Sequence, residues 1–395
     1  MSKYIAFIGL ILGVILIVGA GLVTWSQAIG PKATAEPSHD EKLLAKIEEM
    51  AKDPVVKARA PRTSEFILEK ARTTVAEQNG PPIPCDADGL PGIRFGSQCV
   101  TSQSESIVSM RGPQFGWLSE FQGNTSIRTI MSTGAEADDL SLLTGLPNLT
   151  RLSLFGAKVN DFSTLSKLND LTVLNIGSSN ISVISFVADM PNLRVLQIFA
   201  TDISDLSPLA GHPALQELDI SQTAVTDLLP LADVSTLVKL VVEQTEVADL
   251  SPLAGLTRLN TLSLRDMPVS DLSPLSDLTE LRSLYLGGAA VTDIKPLAGM
   301  TQLTTLDMDR TAVSDLSSLS GMKSLNRLYL SETQVSDLVP LSGLPELSRL
   351  DLSATPVRDL TPIADLPKLR TLELKDADRA DIGPLLGRDW ITVRQ

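Results

Sequence analysis

Eleven aspartates recur in a single 22-residue phase: Asp139, Asp161, Asp205, Asp227, Asp249, Asp271, Asp293, Asp315, Asp337, Asp359 and Asp381, with Val183 breaking the series. A row of carboxylates could collect calcium. Each one, however, immediately precedes an apolar residue, and several have proline three places on (Pro208, Pro230, Pro252, Pro274). In that context a carboxylate caps the first free N–H groups of a helical turn, so capping is expected in preference to metal. Asp86-Ala87-Asp88-Gly89 opens like a calcium loop but lacks the later ligands and the closing glutamate. The histidines, His39 and His212, have no nucleophile or metal partner in view, and structural roles are expected for both. No phosphate-binding glycine loop, nucleophile elbow or H-E-x-x-H motif occurs. The chain therefore reads as a non-enzyme with no cofactor and no metal.

The aspartates are one column of a larger pattern. From Asn124 to Gly387 the chain repeats twelve times in units of 22 residues, without insertion or deletion. In a representative copy, LTRLNTLSLRDMPVSDLSPLSD (Leu256–Asp277), places four, seven, seventeen and twenty are apolar in all twelve copies. Place nine fails only at Ser132 and place fourteen only at Arg379. Places seven and nine alternate with polar neighbours, the period of a half-buried strand. One strand per copy, in register, gives a parallel sheet. The segment Val-x-Asp-Leu-x-Pro-Leu must return the chain on the other side. One copy alone is not stable, because ordering each residue costs about 1–2 kcal/mol of backbone entropy that only stacked neighbours offset. Threonine at place twelve (Thr201, Thr223, Thr245, Thr311, Thr333, Thr355) is expected to form a hydroxyl-to-backbone ladder at the bend.

The unit L-x-x-L-x-x-L-x-L-x-x-T-x-V-x-D-L-x-P-L resembles the leucine-rich repeat superfamily, in particular the 22-residue subclass of the bacterial internalins. The resemblance implies an α/β solenoid with parallel strands on the concave side and short 3₁₀-like turns on the convex side. Two departures limit it. The family's asparagine at place twelve is mostly threonine here, and no L-P-x-T-G sorting signal ends the chain, so cell-wall attachment and host-cell binding do not carry over.

Around the repeats, five segments are expected. Residues 1–30 read as a transmembrane anchor, since Ile5 to Val23 carries no charge and is bracketed by Tyr4 and Trp25. A cleaved signal peptide is the rival, but the apolar run is long and Ala33-Thr34-Ala35 lies well beyond it. Gly9 and Gly13 form a weak GxxxG helix-pairing signal. Residues 31–80 read as a linker with two helices, from Ser38 and from about Ser64 to Glu77. Residues 81–123 read as an N-terminal cap. Cys85 and Cys99, the only cysteines, enclose a Pro/Gly-rich loop there and suit a disulfide in an oxidising compartment. The cap ends in a degenerate copy placing Val108, Met110, Phe115, Leu118 and Phe121 at places seven, nine, fourteen, seventeen and twenty. The twelve copies occupy 124–387, and 388–395 form a C-terminal cap. Trp117 and Trp390 are expected to shield the two open ends of the core.

Places six, eight and ten should face the concavity, and they carry seven acids against six bases. That near balance, within a net charge of −14, suits a protein or peptide partner and argues against nucleic acid. In the first four copies these places hold Met131, Phe155, Val173, Val195 and Phe199, with Gly177 between the phenylalanines, and a slot between two rings is the expected shape. Such a patch marks an interface, or else the helices of residues 31–80 cover it. Further on, Tyr285 and Tyr329 stand at place eight with Asp307 between them, flanked by Arg265, Asp309, Arg310 and Arg327. Tyrosine and arginine are enriched at interface hot spots; the alternative is a solvated sheet face. The resulting expectation is a single-pass protein of a bacterial inner membrane, its solenoid periplasmic or extracellular, binding a protein through the concave face. A cytosolic scaffold similar to the leucine-rich repeat regulators of phosphatases is the second reading. An envelope hydrolase using Asp307 and Asp309 is a third.

Overall fold

A computed structural model describes residues 82–377 and 380–394. The expected anchor, the two linker helices and His39 lie outside the described residues. Among the described residues, no helix is long and apolar enough to cross a membrane. The chain divides into two compact units, Met1–Leu168 and Asn169–Gln395.

In the first unit, β1 (Pro84–Ala87), β2 (Leu90–Phe95) and β3 (Gln98–Thr101) form an antiparallel meander. Asp88 (φ 54°) and Gly89 (φ 79°) are its first turn. Two successive left-handed residues are what a two-residue hairpin of the right twist requires. Asp86 Oδ1 accepts the Gly89 N–H at 3.0 Å. The calcium-like tetrapeptide is thus a hairpin turn. Cys85 and Cys99 are joined in a disulfide that ties the two outer strands, with Cα atoms 5.9 Å apart. Two strand spacings in a flat sheet would be about 9.6 Å, so the meander is curled. Gly92, in the middle strand, sits inside that curl: a Cβ there would come within 2.3 Å of the Val100 carbonyl oxygen.

β4 (Ser106–Arg111) then starts a parallel sheet with β5 (Thr129–Thr133), while β6 (Glu136–Asp139) leads away on the other side. β7 (Arg151–Phe155) and β8 (Lys158–Asp161) repeat this and pair with β5 and β6 respectively. The degenerate copy is real but its register differs from expectation. Ile107, not Val108, pairs with Ile130 at place seven, and a bulge restores Met110 opposite Ser132. The bulge absorbs one extra residue between two buried positions, Ile107 and Met110. Phe115, Leu118 and Phe121 are buried as expected, and Trp117 is 8 % exposed, its ring 5.5 Å from that of Phe95. The meander and Trp117 together close this end.

The second unit is eleven parallel strands, from β9 (Val173–Asn175) to β19 (Thr392–Arg394). Neighbours pair 22 residues apart, as Leu196 with Leu218 and Leu284 with Leu306. Short 3₁₀ turns such as Ser207–Leu209 and Ser273–Leu275 return the chain. Places seven and nine point inward and are sealed from water; Leu284 and Leu286 are 0 % exposed.

All eleven periodic aspartates accept, through Oδ1, the N–H of the residue two places on, at 2.7–2.9 Å. That residue opens each 3₁₀ turn, so the carboxylate satisfies the first free donor. These bonds hold the carboxyls of Asp161, Asp205, Asp249, Asp271 and Asp315 below their usual range. The threonine ladder forms as well. Each Oγ1 donates to the place-nine carbonyl three residues back, from 2.6 Å at Thr201 to 3.0 Å at Thr245. Ser179 joins it at 2.6 Å.

Where place twelve is Ala157 or Ala289, its own backbone N–H serves that carbonyl instead, at 3.1 and 2.9 Å. In both cases glycine precedes, with φ of 68° and 75°, whereas the non-glycine residues before threonine hold φ of 52–58°. The bend therefore exists in two forms, Gly-Ala and Xaa-Thr.

His212 is buried at a first place. Its Nδ1 accepts the N–H groups of Leu215 (3.1 Å) and Ala214 (3.3 Å), and Nε2 donates to the Met190 carbonyl (3.0 Å). Asn124 does the same work in the first copy, its Oδ1 accepting from Ser126 and Ile127. Trp390 departs from expectation. It is 46 % exposed beneath the Arg388 guanidinium, and Ile391 closes the core there instead. The side chain is too far along the tail to reach the last leucines, and the cation occupies its ring.

Candidate functional site

Because places seven and nine point into the core, places six, eight and ten of each strand must point the opposite way. In the second unit these places are half-buried by their neighbours across the sheet, which leaves the face open without letting long side chains wander.

The expected tyrosine stripe assembles around one ion pair. Asp307 pairs in register with Tyr285 on one side and Tyr329 on the other. Arg265, one strand beyond Tyr285, donates from Nε (2.9 Å) and Nη2 (2.5 Å) to Asp307 Oδ2. To reach it the guanidinium lies 4.7 Å from the centroid of the Tyr285 ring. The space for this crossing comes from Gly287, where a Cβ would sit 3.2 and 3.4 Å from the two Asp307 carboxylate oxygens. Asp307 is only 4 % exposed as a result. Arg265 thus fixes a tyrosine ring, and Asp307 fixes Arg265.

Asp309, two residues on, also lies here. Its N–H donates to Asp307 Oδ1 (3.0 Å), and its own Oδ1 accepts the Ser331 N–H (2.6 Å). Burial, then the charges of Asp307 and Asp351, push its carboxyl up to about 6. Arg310 is drawn off to Asp266 at 3.0 Å, and Arg327 stays exposed without joining the cluster. Sequence reasoning missed Arg349, which lies 5.7 Å from the Tyr329 ring centroid while holding Glu373 at 2.5 Å. It also missed Gly287. A glycine at a place that elsewhere carries side chains was the available signal.

The apolar residues are placed differently in the two units. In the first, Met131 is 44 % exposed and Phe155 ends β7 half-buried. In the second, Val173, Val195 and Phe199 are half-buried. The expected slot over Gly177 does not exist. The Phe199 ring leans onto that glycine, so that a Cβ there would meet ring carbons at 2.6–2.8 Å. Gly177 offers no side chain to hold the ring upright, and the ring buries itself in the space. Among the described residues, no group of three or more His, Cys, Asp or Glu is placed to hold a metal ion.

A family model described as a leucine-rich repeat region matches residues 148–387. No curated protein matches the chain. Among solved structures, the chain is similar to an internalin from Listeria monocytogenes, at 27% identity over 76% of this chain and 90% of that one, with a TM-score of 0.62. A leucine-rich repeat protein from Leptospira interrogans shares 15% identity over 73% and 89% of the two chains, TM-score 0.56. A TDR receptor shares 20% over 69% and 52%, TM-score 0.58. At those lower identities the last two bear on the fold alone.

Proposed function

We propose that this chain, which belongs to the leucine-rich repeat family, binds a protein or peptide partner through its strand face, outside the cytoplasm and tethered by residues 1–30. Repeat proteins of this kind serve protein–protein interaction rather than catalysis. The observation that carries the reading is the Arg265–Tyr285–Asp307 unit. It is a side-chain lattice on the outside of the sheet, where it fills no core. Its product is a tyrosine ring held still on an open face. Rigid aromatic anchors lose little entropy on binding and dominate interface energetics.

The disulfide between Cys85 and Cys99 and the uncharged run from Ile5 to Val23 support the extracytoplasmic, anchored placement. Two experiments test this function. Tyr285→Ala with Tyr329→Ala, in chain immobilised from membranes, should weaken partner capture by about 2 kcal/mol or more while far-UV circular dichroism is unchanged. Undiminished capture would remove the stripe. A membrane-impermeant thiol reagent should label Cys85 and Cys99 in intact cells only after reduction by an impermeant reductant. Free thiols reached only after lysis would move the solenoid to the cytosol and favour the regulatory-scaffold reading.

A further inference from the structure

Resting on the strand-face reading, we infer that the partner presents a basic side chain, arginine or lysine, whose cation seats over Ser331 between the Asp309 and Asp351 carboxylates, beside the Tyr329 ring.

The placement follows from register and from which charges are already engaged. Asp307, Tyr329 and Asp351 pair directly across three adjacent strands, each about 4.8 Å from the next. Ser331 lies two residues beyond Tyr329 on the same side of its strand, and its small side chain leaves a depression between Asp309 and Asp351. The cations of this neighbourhood are engaged elsewhere: Arg265 on Asp307, Arg310 on Asp266, Arg349 on Glu373. Among the described residues, Asp309 and Asp351 form no ion pair. Their shown bonds are to backbone, from Ser331 N–H (2.6 Å) and Ser353 N–H (2.9 Å). Each therefore keeps acceptor capacity toward the open side.

The local potential agrees. The Asp309 carboxyl is pushed up to about 6, by burial first and by Asp307 and Asp351 next, with Arg265 offsetting only a little. Negative charge at this spot is under-compensated, and an incoming cation relieves it. The row at place six, by contrast, sets Arg327 beside Arg349. An acidic partner would have to avoid Asp309, Asp351 and the buried Asp307, while a basic side chain at places eight and ten meets only carboxylates, an aromatic ring and a hydroxyl. Carboxylates with an adjacent ring suit a guanidinium or ammonium.

The test is a phage-displayed random peptide library panned on the immobilised full-length chain at about pH 7.5, with synthetic winners measured by fluorescence anisotropy. The expected winners share an arginine or lysine. Replacing that arginine by citrulline, or making Asp309→Asn or Asp351→Asn, should each weaken binding about tenfold. Wild-type binding should also weaken at about pH 5, where Asp309 is protonated, and Asp309→Asn should abolish that pH dependence. Both asparagine variants keep an oxygen to accept the Ser331 or Ser353 N–H, so the fold is preserved. Peptides that depend on Tyr285 and Tyr329 but carry no basic residue, or ignore both asparagine variants, would overturn the basic partner and leave the strand face standing. Winners indifferent to all four positions, or no winner at all, would overturn both.

Discussion

Thr333→Val offers the sharpest check on how the repeats hold their bend. Thr333 is 1 % exposed, and its hydroxyl donates to the Leu330 carbonyl at 2.7 Å. Valine keeps the shape and removes the donor, leaving a buried carbonyl without that bond. The cost of such an orphan is about 1–3 kcal/mol, and the gain from the extra methyl offsets less than about 1 kcal/mol of it. A net loss of about 1–2 kcal/mol is expected, against almost none for Thr333→Ser, because Ser179 already makes the same bond. The two forms of the bend allow a stricter test. Glu332 holds φ at 55°. In the pair Glu332→Gly with Thr333→Ala, the backbone N–H should turn onto the carbonyl as at Ala289, so the pair should be more stable than Thr333→Ala alone. The assay is urea unfolding followed by far-UV circular dichroism, with hydrogen exchange at residues 330–334 because long repeat arrays need not unfold in one step. If Thr333→Val equals the parent, or the glycine gives no recovery, the hydroxyl ladder is not what holds the bend.

Three pH-linked outcomes follow from the other polar bonds. The carboxyls of Asp205, Asp249 and Asp271 titrate below their unfolded value of 3.8, so the stability they contribute is present above that pH and is lost as pH falls through their folded values; acid unfolding should begin there and shift upward when they are changed to asparagine. His212 is held neutral by burial below its ordinary 6.5, so stability should decline as pH drops beneath that value, and a His212→Asn chain should lose that decline in urea midpoints. Asp309 runs the other way. With its carboxyl at about 6 against 3.8 unfolded, stability falls as pH rises between those values, and Asp309→Asn should stabilise the chain at about pH 7.5 by about 1 kcal/mol after solvent screening. Carbon-detected NMR of the Asp309 carboxyl should show the midpoint near 6; a midpoint near 4 would refute the charge account of this face.

The aspartate and threonine columns, the place of each strand and the buried leucines were legible in the residues. Each depends on contacts within one copy or with an identical neighbour 22 residues away, so twelve repetitions of one pattern state the same physics twelve times. Asp271 can only meet Ser273, and Leu284 can only stack on Leu306. The Arg265–Asp307 pair is of another kind. It spans 42 residues and two strands, and it forms because Gly287 leaves the path open and Tyr285 supplies a surface to lie on. The Phe199 ring falls onto Gly177 for the same reason, and the bulge between Ile107 and Met110 appears because a half-formed copy must match a complete one. Periodicity determined which way every side chain points. Which long side chains meet on the outer face was decided only when the strands stood side by side, since reach across a missing Cβ is a property of three neighbours at once.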